Sequence, residues 1–418
     1  MKKTLWIIGS IVVGLFLAAT IFYIVRKQQA VTQPVHRDSQ AILSIAIDDL
    51  LLDNWKQLIR QSDTRRPSED SSSRRAWREI FASGLHIPAR VYFFSLEDKP
   101  ATLFSIQRIT NHRKWHAFLR RHFSDSILRN DGSFTAMNQH MALYSDEEHV
   151  VIALSLKKDA HATVAKKIGQ ERHTWRPVSD WSNLPYAFNR AHATYWLTDD
   201  RFFVHANATD GNIHILGNWQ LDTEVPSPST VRQVDTGDYA LSFRSVLPLK
   251  QTPLLPTFLA TFSTQSLDSL SASYHNYVDL QVRAGTTTQH DTIITYGYDD
   301  EFNSVEQREI QTLRVPIIES VWLGSPQLSD LLPTTFFYQF HTAQHGDTIS
   351  ISTTSTPPRS VSFQHTDVPW QLHVDFTRWP SAWTYGPFQT LKDNNVKVSI
   401  SAKASSAHTM DIQGQITY

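Results

Sequence analysis

The chain has 418 residues and a formal net charge of -1, with 39 Lys and Arg against 40 Asp and Glu. Because no basic excess is available to collect phosphates, a nucleic-acid partner is not expected. The absence of cysteine excludes disulfides, thiolate metal sites and cysteine nucleophiles, and the low glycine content argues against glycine-rich phosphate loops.

The first predicted element is a membrane anchor. Residues Leu5 to Val25 carry no charge, and at about 1.5 Å of rise per residue they form a helix as long as the ~30 Å hydrocarbon core. We expect one uncleaved transmembrane helix within 1–27, a signal anchor of the cytoplasmic (inner) membrane that leaves the bulk of the chain in the periplasm. Lys2, Lys3 and the small residues Ala18-Ala19 leave a cleaved signal peptide as the alternative.

A linker over 28–40 leads to a predicted α+β domain over 41–169. The apolar run that begins at Ile42 indicates a buried strand, and Asp48 is placed to cap the helix that follows. The stretch Ser62 to Arg75 mixes both signs of charge with serines and one proline. It offers nothing to bury, so we expect a solvated loop that is dispensable for folding.

Two predicted hairpins follow, each closed by a helix. The first joins Val91 to Leu96 with Thr102 to Ile109, and the second joins Met141 to Ser145 with Val150 to Leu156. Asn111 is placed to cap the helix after the first hairpin. Because hairpins dominate this order, rather than strand-helix-strand crossovers, we predict an antiparallel sheet with helices on one face.

Residues 170–190 are predicted to be a connector, and 191–418 a β-rich region of one or more domains. At its start Asp199-Asp200 and Asp210-Gly211 are natural two-residue turns, so a meander can be placed in register. This register gathers one apolar face, which we expect to be buried. The face comprises Leu197, Phe202 and Trp219 in one row, Tyr195, Val204 and Gly217 in the next, and Ala193, Ala206 and Ile215 in a third.

The fold class predicted for the whole chain is α+β: an N-terminal transmembrane helix, then an antiparallel sheet with helices on one face, then a mostly antiparallel β domain. Further strands of the last part are predicted at Tyr239 to Arg244, Tyr277 to Arg283, Thr292 to Tyr298, Thr335 to His341, Thr348 to Ser352, Gln371 to Thr377, Val396 to Ala402 and Met410 to Tyr418.

Four stretches carry a resemblance to a known class of proteins: the anchor followed by AILSIAIDDLLLDNW from Ala41, YGYDDEFNSVEQ from Tyr296, LHVDFTRWP from Leu372 and DIQGQITY from Asp411. In these stretches the chain resembles single-pass, membrane-anchored envelope proteins of diderm bacteria. The resemblance covers most of the chain and implies a location in the cell envelope. It carries over no catalytic residue.

Histidines supply the candidate metal ligands. In the predicted meander, His192 and Asn207 form a row with His214 on the polar face, and His205 lies one row away, about 7 Å from its diagonal neighbours. Such a cluster can share a proton or a metal ion. The alternative, which we favour, is a solvated strand face on which histidine is simply a polar residue.

Paired acidic residues and a second histidine pair are further candidates. Asp48-Asp49, Asp199-Asp200 and Asp299-Asp300-Glu301 could bind calcium or act as paired carboxylates. Each also stands where a helix cap or a turn is predicted, and we favour that local role. His112 and His116 have the i, i+4 spacing of a helical metal site, but the basic residues around them repel a cation.

Aromatic residues near the C-terminus offer a different kind of site. Trp370, Trp379, Trp383 and Tyr385 could form a platform for a glycan or a peptide, with packing in the core as the alternative.

The sequence contains no G-x-S-x-G, H-E-x-x-H or P-loop pattern, which leans against an enzyme. We therefore interpret the chain as a membrane-tethered envelope protein with a binding or scaffolding role. It needs no cofactor, and its expected partner is another envelope protein. A glycan- or peptide-binding module and a hydrolase that uses the acidic clusters are the alternatives.

Overall fold

The computed structural model describes residues 20–53, 79, 82–122, 127–128, 134–137, 140–155, 161–209, 211–226, 229–234, 238–252, 255, 266–298, 304–332, 338–358 and 361–418. The chain divides into two compact units, Met1–Gly211 and Asn212–Tyr418, which we call unit 1 and unit 2.

Among the residues that the structure describes, strands dominate unit 1 and the helices are short. In chain order its elements are α1 (20–30), β1 (Pro34–His36), β2 (Ser39–Ala46), α2 (Ile47–Asp53), β3 (Arg90–Leu96), β4 (Lys99–Arg108), α3 (His112–His122), β5 (Ile127–Leu128), β6 (Phe134–Met137), β7 (Met141–Ser145), β8 (His149–Ser155), α4 (His161–Gln170), β9 (Trp175–Pro177), β10 (Ala193–Leu197) and β11 (Phe202–Thr209).

Apart from β1 and β9, which pair with each other, the strands of unit 1 form one antiparallel sheet. Neighbours pair in the order β11-β10-β2-β3-β4-β8-β7-β6-β5. Both predicted hairpins are confirmed, as β3 with β4 and β7 with β8. The predicted cap of α3 is confirmed too, because Asn111 Oδ1 accepts a hydrogen bond from the backbone N–H of Lys114 at 3.0 Å.

Helices cover both faces of this sheet. On β7, Tyr144 packs in the cluster that contains Ile168 of α4, whereas its neighbour Leu143 packs in the cluster that contains Trp115 of α3. Successive side chains of a strand point to opposite faces, so the two helices lie on opposite faces. The prediction of helices on one face is therefore wrong: β7 and β8 are apolar on both faces, and each face needs a cover.

Unit 2 is also built mainly from strands. In chain order its elements are β12 (Asn212–Gln220), β13 (Ser229–Arg232), β14 (Tyr239–Ser245), α5 (Leu267–Ser273), β15 (Tyr274–Tyr298), β16 (Ser304–Gly324), α6 (Pro326–Leu331), β17 (His341–His345), β18 (Thr348–Ser352), β19 (Phe363–Thr366), β20 (Trp370–Asp375), α7 (Pro387–Asp393), β21 (Lys397–Ser406) and β22 (Thr409–Thr417).

The large sheet of unit 2 is antiparallel, with neighbours paired in the order β12-β22-β21-β20-β14-β15-β16-β18-β17. A small sheet of β13 and β19 lies on one face of it, where Val231 and Phe363 pack against Tyr277 of β15. Val278, the next residue of β15, packs on the opposite face with Leu328 of α6. The sheet is therefore covered by strands on one side and by short helices on the other.

Strands β15 and β16 form a hairpin that extends beyond the sheet. Strand β14 pairs with β15 only as far as Arg283, and β18 pairs with β16 only from Glu319 to Leu323. Over 286–298 and 304–316 the two strands pair only with each other among the described residues. We call these two stretches the ribbon. At about 3.3 Å per residue the ribbon is roughly 40 Å long.

The predicted membrane anchor is wrong. No helix in the described part of the chain, which begins at residue 20, is long and apolar enough to cross a membrane. Helix α1 takes up only the end of the predicted span, and its polar side chains are tied to α2: Tyr23 and Lys27 bind Asp49, and Arg26 binds Asp48. Residues 5–19 of the predicted span lie outside the described residues.

The predictions that depended on the anchor are corrected with it. These were the single-pass location in the inner membrane and the periplasmic placement of the remaining chain. Hydropathy alone suggested them, and it could not show that α1 carries the cations that pair with Asp48 and Asp49.

The predicted α+β class is also wrong, because the described chain is mostly β. Two predicted strands, Tyr277 to Arg283 and Thr292 to Tyr298, are parts of the single strand β15, and its partner β16 was not predicted at all. Threonine, glutamine and charged residues occur on both faces of the ribbon, so the usual sign of a strand, one apolar face, is missing there.

The predicted meander register is confirmed between β10 and β11. Ala193 pairs with Ala206, and Tyr195 pairs with Val204. The turn between these strands holds Asp200 at a φ of 64°, a left-handed conformation that aspartate tolerates better than most residues. Asp210, the first residue of the other predicted turn, lies outside the described residues.

The face of β10 that was predicted to be buried is the less buried one. Trp196 and Thr194, on the opposite face, are 0% and 1% exposed. Trp196 packs edge-on against Phe188 and Trp181, which both lie in the segment predicted as a connector. That segment therefore belongs to the core of unit 1. Because it packs on one face of β10, that face is the buried one.

Candidate functional site

His192, the first predicted metal ligand, has both ring nitrogens engaged. Nδ1 accepts a hydrogen bond from the backbone N–H of Ala208 at 2.8 Å, so Nε2 carries the proton and donates to Asp53 Oδ2 at 2.9 Å. The backbone N–H of His192 donates to Asn207 Oδ1, which confirms that these two residues share a row. His192 therefore joins α2 to the end of β11 as a structural residue.

The other predicted ligands do not complete a metal site. His205 is half-buried beside Phe203 in unit 1, and burial lowers its pKa. His214 is exposed in unit 2. Helix α3 has the predicted spacing of His112 and His116. Among the residues that the structure describes, no group of three His, Asp or Glu side chains could hold a metal ion.

Of the acidic pairs that the structure describes, only Asp199-Asp200 has the local turn role that we favoured, because Asp48 and Asp49 lie inside α2 rather than at its cap. Asp48 and Asp49 bind side chains of α1, and Asp49 also lies 3.8 Å from the buried guanidinium of Arg90. In the β10-β11 turn, Asp200 Oδ1 accepts a hydrogen bond from the indole N–H of Trp196 at 2.9 Å. The third cluster, Asp299-Asp300-Glu301, lies outside the described residues.

The C-terminal aromatic residues do not form an exposed platform. Trp379 is buried and stacks on Phe388 of α7, with 5.3 Å between ring centroids. Trp370 packs edge-on against Trp219 inside unit 2. Tyr385 is 64% exposed and packs edge-on against Phe388.

A polar cavity of about 220 Å³ lies on the large sheet of unit 2. Its floor is formed by two cross-strand rows on β20, β14 and β15, and its walls by Tyr277 and by the end of β13 with the residues that follow. The rows are Gln371, Arg244 and Asp279, then His373, Ser242 and Gln281, and the wall residues from the β13 side are Arg232 and Val234.

Strand alternation places these polar residues together. On β14, Ser242 and Arg244 point to the cavity, while Leu241 and Phe243 point the other way into apolar clusters. The alternation is visible in the sequence, but it is typical of a face exposed to water. Here the small sheet covers that face, so Gln281 is 1% exposed and its Oε1 has no hydrogen-bond partner in the described structure.

Asp279 is the most buried charged group of the cavity. It accepts hydrogen bonds from the Tyr277 hydroxyl at 2.8 Å and from the backbone N–H of Val321 at 3.0 Å. Burial raises the pKa of Asp279 to about 6, although nearby Arg232 and the hydrogen bond from Tyr277 act in the opposite direction. The carboxyl group therefore changes charge close to neutral pH.

Glu319 compensates two of the three arginines near the cavity. Its carboxylate accepts from Arg232 Nη2 at 3.0 Å and from Arg283, whose Nε and Nη2 lie 3.1 Å and 3.0 Å from Oε1. Arg232 Nη1 lies 3.6 Å from Asp279 Oδ1, which is beyond hydrogen-bond distance, and it has no hydrogen-bond partner in the described structure. The Nη1 group of Arg232 is thus available to donate a hydrogen bond into the cavity.

Arg244 differs from both neighbours because it forms no ion pair with any described residue. Its Nε is buried without a hydrogen-bond partner, and burial lowers the pKa of the guanidinium. The group still stays charged at neutral pH, since an arginine pKa starts above 12. The cavity region therefore holds three guanidinium groups against the carboxyl groups of Asp279 and Glu319, and its balance is positive.

Comparisons with known proteins add no function to this geometry. No protein-family model matches the chain, and neither does any curated protein. The chain is similar to three solved structures titled "Structure of crystal form I of TP0453", with crystal forms III and IV. The identities are 10%, 9% and 8%, the TM-scores are 0.29, 0.25 and 0.26, and the similarity covers 49%, 77% and 76% of this chain and 88%, 90% and 90% of those. These TM-scores are too low to support an argument.

Proposed function

We propose that the protein is a binding protein whose unit 2 takes up a small anion, or a single anionic group of a larger molecule, in the cavity between Arg232 and Arg244. The observation that carries the proposal is a pair of buried donors, Arg232 Nη1 and Arg244 Nε, which line one cavity and lack a hydrogen-bond partner in the described structure.

The energetics of burial support an anionic ligand. A guanidinium that leaves water without a counter-charge costs several kcal/mol, so buried charges in proteins are normally paired. Arg244 has no such pair in the described chain, whereas Arg232 and Arg283 share Glu319. An anion in the cavity would supply the counter-charge that the described residues do not.

The donor geometry narrows the ligand class. Guanidinium groups bind carboxylate, phosphate and sulfate through paired N–H donors, and these anions share the oxygen acceptors that two arginines can reach. The cavity is smaller than the ~300 Å³ at which typical ligand pockets begin, which favours a small group. Gln281 and Ser242 add neutral polar contacts on the floor that can fix the orientation of the ligand.

The test is calorimetric titration of the full chain with phosphate, sulfate and acetate, in a buffer whose anion is chloride. We expect at least one of them to bind, and Arg244→Gln to weaken that binding at least tenfold, as expected for the loss of a charged hydrogen bond. Arg244→Lys keeps the positive charge but loses the planar, paired N–H donors of the guanidinium, so it should bind the anion with intermediate affinity.

Arg378→Gln is the matched control, because this arginine belongs to unit 2 but is 42% exposed and lies outside the cavity. Its affinity should equal that of the unchanged protein. If none of the three anions binds, or if Arg244→Gln binds as well as Arg378→Gln, the cavity is not an anion site and the proposal fails.

A further inference from the structure

The ribbon presents long strand edges to solvent. An isolated two-stranded ribbon is only marginally stable in water, and a long exposed edge is a template for pairing with another strand. Among the described residues, no backbone hydrogen bond reaches the outer edge of 304–315. On one face of the ribbon Ile310 is 71% exposed and Ile294 is 49% exposed.

The hydrogen bonds at the base of the ribbon show which residues of β16 point outward. The backbone N–H and C=O of Ile318 both bond to Thr353, which lies on the side away from β15, and the C=O of Pro316 accepts from the Thr353 hydroxyl. Backbone groups alternate in direction along a strand. The N–H and C=O of every second residue towards the tip, from Arg314 through Ile310 to Glu306, therefore point to the open edge.

We propose that a second copy of this chain pairs with this edge, β16 against β16, in an antiparallel arrangement centred on Ile310. A two-fold axis then places Ile310 opposite Ile310 of the other copy, Arg308 opposite Thr312, and Glu306 opposite Arg314. All of these are outward residues, so each opposed pair can exchange two backbone hydrogen bonds. The joined ribbons form a four-stranded sheet.

The side chains are complementary in this register. Glu306 meets Arg314 twice, once on each side of the axis, and directly opposed opposite charges stabilise antiparallel strands. The two exposed Ile310 side chains cover each other on the axis, and Ile294, a diagonal neighbour on β15, extends the apolar stripe. In the single chain Glu306 forms an ion pair with exposed Arg308 at 2.8 Å, a surface pair of small energy that can rearrange.

The inference does not depend on the anion cavity, because it rests on the edge of the ribbon alone. It also identifies the partner as an identical chain. A partner of another sequence would have to supply the charges that the two-fold register already provides.

The test is sedimentation velocity of the full chain over a wide range of concentrations. The unchanged protein should show a monomer-dimer equilibrium. Glu306→Arg alone places two arginines in opposition at both ends of the paired segment, and Arg314→Glu alone opposes two glutamates; each should weaken dimerisation at least tenfold. The double variant should restore it, and an equimolar mixture of the two single variants should form a heterodimer.

Glu309→Arg is the control, since it makes the same charge change on the other face of β16, opposite the neutral Gln311. It should dimerise like the unchanged protein. A protein that is monomeric at its highest soluble concentration would overturn the inference. So would a dimer that Glu306→Arg leaves intact, or a double variant that fails to restore pairing while Glu309→Arg retains it.

Discussion

Arg244 and Arg232 line the same cavity but differ in their ion pairs, and this difference gives opposite predictions for their removal. Arg244→Met deletes a partly buried charge that has no ion pair in the described structure, so it should raise the free energy of unfolding by about 1 kcal/mol. Arg232→Met removes a positive charge that compensates the carboxylates of Asp279 and Glu319, so it should lower the free energy of unfolding by about 3 kcal/mol.

Urea denaturation of both variants, in a buffer without phosphate or sulfate, measures the difference. A stabilising Arg244→Met that also abolishes anion binding would show that this residue is retained for a ligand at the expense of stability. If both variants lost stability equally, Arg244 would have to be paired inside the folded protein.

Asp279 predicts a pH dependence with a defined sign. The folded-state pKa is raised to about 6, above the ordinary value near 4, so the native state binds the proton more tightly than the unfolded chain does. The contribution of this group to the free energy of unfolding is fully present below pH ~4 and is lost as the pH rises to about 6. As the pH rises from about 4 to about 6, the free energy of unfolding of Asp279→Asn should therefore increase by about 3 kcal/mol relative to that of the unchanged protein.

The measurement is the difference in the free energy of unfolding between the two proteins at several pH values, because other titrating groups cancel in it. His373 lines the same cavity, so the comparison is repeated in a His373→Gln background. A difference that stays constant from pH 4 to 7 would mean that Asp279 is ionised throughout, which contradicts its burial without full compensation.

At the scale of elements, α1 is attached to α2 through two carboxylates, and buried Asp49 binds two of its three side-chain partners. Burial acts to raise the pKa of Asp49, but hydrogen bonds from Tyr23 and Lys27 outweigh it and hold that pKa below its ordinary value. Asp49→Ala removes the contacts of Tyr23 and Lys27, leaves only the Arg26–Asp48 ion pair of the three described above, and leaves buried Arg90 without its nearby carboxylate, so it should lower the free energy of unfolding by about 3 kcal/mol. Trypsin should then cut after Arg26 or Lys27, which the docked helix protects.

Asp38→Ala is the control for this experiment. The Asp38 side chain is 68% exposed and pairs only loosely with Arg37, so its loss should change stability by less than ~0.5 kcal/mol. Equal tryptic cleavage of Asp49→Ala and Asp38→Ala would show that α1 is held by other contacts.

The elements that could be predicted from the sequence are those whose signals are local. Both hairpins of unit 1, the cap at Asn111 and the β10-β11 register follow from turn residues and alternation, and the structure confirms them. The ribbon part of strand β16 was missed because its residues are polar on both faces. The buried face of β10 was misjudged because its cover, Phe188 and Trp181, comes from a segment without periodicity.

The candidate site could be predicted only in part. The polar residues of β14, β15 and β20 alternate visibly in the sequence, yet nothing local shows that three distant strands bring them into adjacent rows. Nor does the sequence show that β13 covers them. For the histidines, which we did not favour as a metal site, the row of His192 and Asn207 forms, but the sequence could not show that His192 uses both ring nitrogens within unit 1.

At the scale of the whole molecule, anion binding and pairing of ribbons should be independent. Along β15 the row of Asp279 and the row of Ile310 are roughly 40 Å apart, farther than charge effects reach at physiological salt. Glu306→Arg should therefore leave the anion affinity unchanged, and Arg244→Met should leave the monomer-dimer equilibrium unchanged. Calorimetry and sedimentation on both variants test this, and a loss of both properties in either variant would show that the two sites are coupled.

The central claim, that the cavity of unit 2 binds an anion, is tested most directly by a crystal structure of the full chain grown with selenate, whose selenium can be located by anomalous scattering. We predict a selenium peak inside the cavity, with oxygens about 3 Å from Arg244 Nε and Arg232 Nη1. A structure in which Arg244 reaches a carboxylate of its own chain, or in which the cavity holds no selenium while selenate is bound elsewhere, would contradict the account.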